Sequence, residues 1–319
     1  MDNGYDHDLS LFLQLVMFKT VNLSQNKFTD VGIGNLVDMI GGQDVRMEAL
    51  DLSDCDLNDG ALEKLAPVVN VVKELSIADN HFTRYTSNNS IMIHELFLCV
   101  CYSQGIKKFA DFFTKSEKRK LVRLDLSRCN IAKTGFYELI PVLIRTESVV
   151  FQGHGLSPLE LKEFASKVTE LEARGIKSLD ISSNSLTDES MPQLAQFITC
   201  LESVDLHNSD FSVQSMRILA NTIQDNGIGK LKSLNLRLCK LNDDSLEVLS
   251  EIIPRISSVT LSSNNFSGIT AVKNLCSKIE NSDKLSLKFL DLKYSRLAQE
   301  MKKSLGEVCK KLNIDLKVW

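Results

Sequence analysis

The sequence contains no apolar run long enough to cross a membrane. The longest, Leu9 to Phe18, is interrupted by Ser10 and Gln14, and a membrane-spanning helix needs about 20 apolar residues. The flank of this run carries aspartates where a secretory signal would carry positive charge. We therefore expect no membrane insertion, and we interpret residues 1–17 as a helix that caps the N-terminal end of a domain.

Positive charge is not in excess either. The chain has 37 Lys and Arg against 41 Asp and Glu, a net charge of −4. This balance favours neither nucleic acid nor an anionic membrane surface as the main partner. The eight cysteines, in a sequence with no recognisable secretory signal, predict free thiols in a reducing compartment, and hence a cytoplasmic protein.

The familiar motifs of catalysis and metal binding are also missing. The sequence has no G-x-x-x-x-G-K-[ST], no H-E-x-x-H and no G-x-S-x-G. Cys99 and Cys101 would point to different sides of a helix, and no second cysteine or histidine pair completes a zinc site. We therefore predict no enzyme activity, no catalytic residue, no cofactor and no metal, and we expect no small-molecule substrate.

What the sequence does contain is one frame that occurs ten times, namely apolar-x-x-apolar-x-apolar-x-x-(Asn/Cys)-x-apolar. The copy at residues 176–186 fills every position of it. The copy at 146–156 is degenerate, and we expect its His154, at the ninth position, to supply a hydrogen-bond donor there. The other copies begin at Phe18, Met47, Val72, Leu121, Leu201, Leu231, Ile256 and Leu287.

The repeated frame resembles the leucine-rich repeat family, and the resemblance covers nearly the whole chain. Successive copies are 29, 25, 49, 25, 30, 25, 30, 25 and 31 residues apart, so long and short repeats alternate. This spacing is similar to the ribonuclease-inhibitor-like subclass, as in intracellular NOD-like receptor repeat domains and Ran GTPase-activating protein. The resemblance implies an α/β leucine-rich repeat solenoid (horseshoe), with parallel strands on the concave face and helices on the convex face.

The frame also predicts the domain organisation. We expect a single domain over 1–319, with ten repeats over about 18–310 and a capping strand at 311–319. Trp319, the only tryptophan, should seal the last face of the core. The 49-residue spacing places an insertion within 83–120, and two interpretations of it stay open: a locally packed helix pair, or a working surface.

Local signals refine individual repeats. Ser157 and Glu160 flank Pro158 as in a capping box at a helix start. We expect Thr187 to cap the helix that follows the copy at 176–186, and Ser182 to face the concavity. The ninth position should brace each turn, because an amide donates to backbone carbonyls that no strand reaches. These ladder residues are Asn26, Cys55, Asn80, Cys129, Asn184, Cys239 and Asn264.

The concave face is where such repeats usually bind partners. Its strand-centre positions are half aspartate, which indicates either solvated side chains or an acidic strip that faces a basic partner. Towards the C-terminal end the flanking positions become basic and aromatic, as at binding hot spots. The candidate partner-binding residues are His207, Arg237, Lys288, Phe289, Asp291, Lys293, Tyr294, Asp205 and Asp180.

The resemblance therefore implies a non-enzymatic protein–protein interaction module with a protein partner of unknown identity. It would be a cytosolic scaffold or adaptor, or the recognition domain of an intracellular receptor. The alternative is a small-GTPase regulator resembling Ran GTPase-activating protein. Such regulators carry a long acidic tail, whereas this sequence ends at Trp319 near lysines, and an assay of GTP hydrolysis would separate the two hypotheses.

Overall fold

Each copy of the repeat frame forms a short β-strand, and the segment after it returns as a helix. The computed structural model describes residues 18–41, 47–82, 104–115, 121–129, 131, 133–170, 175–184 and 186–319. The expected N-terminal capping helix and much of the 83–120 insertion lie outside these residues. The chain divides into two compact units, residues 1–154 and 155–319.

In the first unit, neighbouring strands pair in parallel and in chain order. The strands are β1 (Thr20–Asn22), β2 (Met47–Asp51), β3 (Val72–Ser76), β4 (Arg123–Asp125) and β5 (Ser148–Val150). The helices are α1 (Asp30–Gly41), α2 (Asp59–Leu65), α3 (Gln104–Lys115) and α4 (Lys133–Leu143), with a 3₁₀ helix at Ala66–Asn70.

The second unit is built in the same way, again with parallel pairing in chain order. Its strands are β6 (Ser178–Asp180), β7 (Ser203–Asp205), β8 (Ser233–Asn235), β9 (Ser258–Thr260), β10 (Phe289–Asp291) and β11 (Asp315–Lys317). Its helices are α5 (Pro158–Glu170), α6 (Met191–Ile198), α7 (Val213–Asn226), α8 (Asp243–Leu249), α9 (Ile269–Glu280) and α10 (Gln299–Lys311), with a 3₁₀ helix at Ile253–Arg255.

The frame's apolar residues form the core. In β7 to β10 the middle residue of each strand is buried and its two neighbours are half-exposed, because successive side chains point to opposite faces of a sheet. The buried face packs under the helices, and we call the other one the open face, which corresponds to the predicted concave face. The predicted repeat architecture is confirmed. Phe18 is an exception: it is 56% exposed, and no described repeat precedes it.

The helices bury the sides that their spacing predicts. Leu194, Ala195, Phe197 and Ile198 of α6 are all buried. The capping box at the start of α5 also forms, since a Glu160 carboxylate oxygen accepts hydrogen bonds from the backbone N–H and the hydroxyl of Ser157.

The expected helix cap at Thr187 is wrong. Thr187 forms an isolated parallel bridge with Asp210, so its backbone is still extended, and α6 begins only at Met191. The neighbouring Asp188 instead accepts hydrogen bonds from the backbone N–H of Ser212 and the hydroxyl of Ser215 in the next repeat. The polar residues after this strand therefore link two repeats rather than start a helix.

The described part of the 83–120 insertion is α3, which packs between α2 and α4. Its Ile106, Phe109 and Phe113 are buried. Gly105 allows this packing, because a Cβ there would lie 2.0 Å from the carbonyl oxygen of Asp59. Residues 104–115 thus supply the outer helix between β3 and β4.

The C-terminal capping strand is present as β11, but the role expected for Trp319 is wrong. Trp319 is 69% exposed, whereas Val318 is buried. The alternation along the chain gives the inward position to Val318. The indole ring instead lies under Lys302, whose Nζ is 4.8 Å from the ring centroid, a cation–π contact at the surface.

Candidate functional site

The ninth position of the frame ties neighbouring turns together. The Asn80 amide donates to the carbonyls of Leu52, Ile77 and Ala78, and its oxygen accepts from the backbone N–H groups of Cys55 and Leu57. Asn264 bonds in the same way to Cys239, Leu241, Leu236 and Leu261. The Asn184 amide contacts Leu156, Ile181 and Ser182. Asn26 is exposed and donates only within its own turn.

The three ladder cysteines are buried and use their thiols in the same way. Cys55, Cys129 and Cys239 each donate to a carbonyl of the preceding repeat, on Leu23, Ile77 and Leu206 respectively. Burial raises the pKa of the Cys129 and Cys239 thiols to about 12. These sulfurs are therefore protonated hydrogen-bond donors and poor nucleophiles.

His154 occupies the ninth position of the degenerate repeat. Its Nε2 lies 2.7 Å from the carbonyl oxygen of Leu126, and its ring stacks on Phe151 with 3.8 Å between centroids. Burial lowers the pKa of His154 to about 4, against the opposing effect of the Leu126 hydrogen bond. The side chain is thus a neutral imidazole that contacts the preceding turn.

One interpretation of the sequence expected the aspartates at the strand ends to be simply solvated. In the structure their carboxylates instead accept hydrogen bonds from the protein. Asp51, Asp125 and Asp180 each accept from both the backbone N–H and the hydroxyl of a serine two residues later. This local arrangement turns the chain out of the strand. It also buries Ser182 completely, so the expectation that Ser182 faces the concavity is wrong.

Three of the candidate partner-binding residues come together on the open face of β6 and β7. Single ligand atoms of Asp180, Asp205 and His207 all lie within 4.8 Å of one another. Asp205 accepts from the Asn235 amide at 2.8 Å, and its other oxygen is 2.9 Å from Nδ1 of His207. Burial, together with the charge of Asp205, raises the pKa of the Asp180 carboxyl despite its hydrogen bonds from Ser182.

Asp180, Asp205 and His207 are close enough to one another to contact a single cation. Hydrogen bonds with each other and with neighbouring side chains nevertheless already account for their arrangement. Ser182 donates a hydrogen bond to one oxygen of Asp180, and the two oxygens of Asp205 have His207 and Asn235 as partners. The absence of a metal site stays a prediction from the sequence.

The other candidate residues lie further along the same sheet. Phe289 and Asp291 flank the buried Leu290 of β10 and therefore lie on the open face. Lys288 and Arg237 are exposed, and Tyr294 is 76% exposed. We call Arg237, Lys288, Phe289, Lys293 and Tyr294 the basic–aromatic patch.

The cations of this patch are not neutralised by neighbours. Within the part of the chain that the structure describes, Arg237, Lys288 and Lys293 form no ion pair. Lys240 and Lys232, by contrast, are bound to Asp210 and Glu202. In the first unit Arg128 is held by both carboxylate oxygens of Asp79, and this hydrogen-bonded pair lowers the pKa of Asp79.

One backbone feature of these turns was missed by the sequence analysis. The eighth position of every repeat has a positive φ, in the left-handed region that glycine, asparagine and aspartate tolerate best. Two large apolar residues nevertheless occupy it, Leu238 and Tyr294, each with φ of 56°. The full set is Gln25, Asp54, Asp79, Arg128, Gly153, Ser183, Asn208, Leu238, Ser263 and Tyr294. The positive φ itself has no sequence signature, but Leu238 stands out in the sequence as a large aliphatic residue at a position that is otherwise mostly polar.

Comparison with known proteins agrees with the repeat architecture. A family model described as "Leucine Rich repeat" matches residues 15–37, 47–66, 117–139, 176–192 and 229–250. Together with the parallel strands and outer helices, these matches show that the chain is a leucine-rich repeat protein.

Two curated relatives narrow the kind of repeat. The chain is 25% identical over 254 residues to human "NACHT, LRR and PYD domains-containing protein 2", covering 77% of this chain and 22% of that protein. It is 24% identical over 289 residues to mouse "NACHT, LRR and PYD domains-containing protein 5", covering 87% of this chain and 23% of that protein. The repeats are therefore similar to those of two proteins that are named for NACHT, LRR and PYD domains, and the chain spans less than a quarter of each relative.

Two solved structures align with this chain at low identity. An internalin from Listeria monocytogenes aligns over 99% of this chain and 91% of its own, at 14% identity and a TM-score of 0.47. A tropomodulin C-terminal domain from Caenorhabditis elegans aligns over 55% of this chain and 92% of its own, at 10% identity and a TM-score of 0.35.

The helices themselves are short. None of those in the described residues has the length and apolar character that crossing a membrane requires.

The family match and the relatives support a protein-interaction module rather than any particular partner.

Proposed function

We propose that this chain is a non-enzymatic interaction module that binds a protein partner on the open face of its second unit. The observation that most strongly supports this proposal is the basic–aromatic patch. It places three cations without ion pairs beside a half-buried Phe289 and a largely exposed Tyr294. Arginine and aromatic side chains on an accessible face are where binding energy concentrates in protein interfaces.

The surrounding structure supports binding rather than chemistry. The ladder thiols are buried and protonated, and His154 is engaged with the preceding turn. The strand-end carboxylates are occupied by the turns that they stabilise. These groups stabilise the fold through their hydrogen bonds. The side chains of the basic–aromatic patch, by contrast, are accessible to a partner on the open face.

We further propose a cytosolic protein that works as a scaffold or as the recognition part of a larger receptor. The six cysteines in the described residues are all free thiols, in keeping with a reducing compartment. The two relatives join leucine-rich repeats to NACHT and PYD domains, as their names state. Either role uses the same surface to bind a protein.

The test is affinity purification of the tagged chain from cells, with mass spectrometry of the bound proteins. We expect one partner or complex to be lost from the Arg237→Glu/Tyr294→Ala variant. It should be retained by Lys273→Glu, a charge reversal on the exposed side of α9. Equal recovery of every bound protein by the wild type and the patch variant would reject this surface.

A further inference from the structure

A row of turn residues runs beside the basic–aromatic patch. The backbone N–H of Leu238 donates to Ser262 at 3.1 Å, and that of Ser263 donates to Lys293 at 2.8 Å. These bonds continue the ladder of β8, β9 and β10 past the strand ends. They hold Leu238, Ser263 and Tyr294 in register on three consecutive turns.

The three members of this row differ sharply in size. Leu238 is 43% exposed and Tyr294 is 76% exposed, while the serine between them is small. Adjacent strands lie about 4.8 Å apart, so the backbones that carry Leu238 and Tyr294 are roughly 10 Å apart. The row therefore carries two large exposed side chains on either side of a small one.

Folding does not explain why these two positions are apolar. Their φ of 56° is one that bulky residues adopt at a cost and that asparagine accepts readily. Asn208 occupies the same position one repeat before Leu238, with the same φ. Leu238 and Tyr294 thus combine backbone strain with apolar exposure, two costs that a polar residue would avoid.

The charges around the row indicate what covers it. Arg237 directly precedes Leu238, and Lys293 directly precedes Tyr294, so each of the two large side chains has a cation as its neighbour in the chain. Neither has an ion pair within the described chain. Asp291 is the nearby acidic group on β10, and it accepts a hydrogen bond from the backbone N–H of Lys293 at 2.9 Å. A partner that approaches the row therefore meets a positively charged residue next to each of the two large side chains.

We propose that this row is an anchor site for an acidic protein segment that inserts one large apolar side chain between Leu238 and Tyr294. Carboxylates on both sides of the inserted residue pair with Arg237 and Lys293. This inference rests on the proposed function and adds to it the chemistry of the partner and the place of its anchor.

To test this proposal, a displayed library of short random peptides is selected for binding to the wild-type protein. The selected peptides are then measured by fluorescence anisotropy. We expect enrichment of peptides with one Phe, Leu, Trp or Met between acidic residues. The Leu238→Asn/Tyr294→Asn variant should weaken their binding by about tenfold or more, a loss typical of removing an interface anchor.

The controls separate loss of the anchor from loss of the fold. Asparagine suits the left-handed backbone, so the double variant should unfold at a temperature equal to or above that of the wild type. Ser183→Asn, at the same frame position four repeats before Tyr294, should bind the peptides as the wild type does. Replacing the central apolar residue of a peptide by Ala should abolish the difference between wild type and double variant.

Three results would overturn the anchor site: no enriched peptide, enriched peptides without the acidic–apolar pattern, or peptides whose binding ignores the double variant. The proposed function would survive each of them if a cellular partner is still lost from Arg237→Glu/Tyr294→Ala. Conversely, peptide binding that depends on Leu238 and Tyr294, without any such cellular partner, would support the anchor chemistry and remove the proposed function.

Discussion

At the scale of single residues, a side chain's place in the frame determines what it does. Asn80, Cys129 and His154 share the ninth position and contact carbonyls of the preceding repeat through an amide, a thiol and an imidazole. Their chemistry differs, but the requirement is the same, because buried backbone carbonyls need donors. A histidine or cysteine in such a repeat is therefore accounted for by hydrogen bonding before catalysis is invoked.

The buried His154 makes the stability of the fold depend on pH. Its pKa is about 4 in the folded protein and 6.5 when unperturbed. The unfolded state therefore gains a proton first as the pH falls, and stability is lost between roughly pH 6.5 and pH 4, by up to about 3 kcal/mol. Urea unfolding across this range should show the loss for the wild type but not for His154→Asn. Parallel stability–pH curves for the two proteins would contradict this assignment.

At the scale of elements, the strands and the packing sides of the helices could be predicted from the sequence, because both follow from apolar spacing. The Leu194 side of α6 and the positions of β6 to β10 are of this kind. The polar positions were harder. Whether Asp180 is solvated depends on Ser182 folding back onto it, which spacing does not reveal.

The predictions that failed did so for local structural reasons. Thr187 looked like a helix cap but lies in extended backbone, since the short repeat delays its helix. Trp319 was expected to seal the last face of the core, yet Val318 takes the inward position. The left-handed residue of each turn leaves no clear trace in sequence because its side chain varies from glycine to arginine.

The turn ladder should account for a measurable share of the stability of the first unit. Asn80→Ala removes five hydrogen bonds and leaves buried carbonyls and N–H groups without partners. We expect a loss of about 3 kcal/mol in the free energy of unfolding. Asn26→Ala, at the same frame position but exposed, should cost about 0.5 kcal/mol. Chemical denaturation measures both, and equal losses would show that the ladder does not stabilise through burial.

At the scale of the whole molecule, the fold could be predicted from the sequence, whereas the candidate site could be predicted only in part. Ten copies of one frame determine the architecture, since each strand–helix unit buries its apolar side only against its neighbours. The candidate partner-binding residues occupy positions whose residue type the frame does not specify. The basic–aromatic patch could be located from sequence, but its lack of ion pairs and its neighbour Leu238 required the structure.

The central claim is that a protein partner binds the open face of the second unit, and site-specific photocrosslinking in cells tests it most directly. A photoreactive phenylalanine analogue would replace Phe289 on β10 in one variant and Lys273 on α9 in another. We predict a specific crosslinked partner from position 289 and not from position 273. Crosslinks to the same partner from position 273 alone would contradict the account.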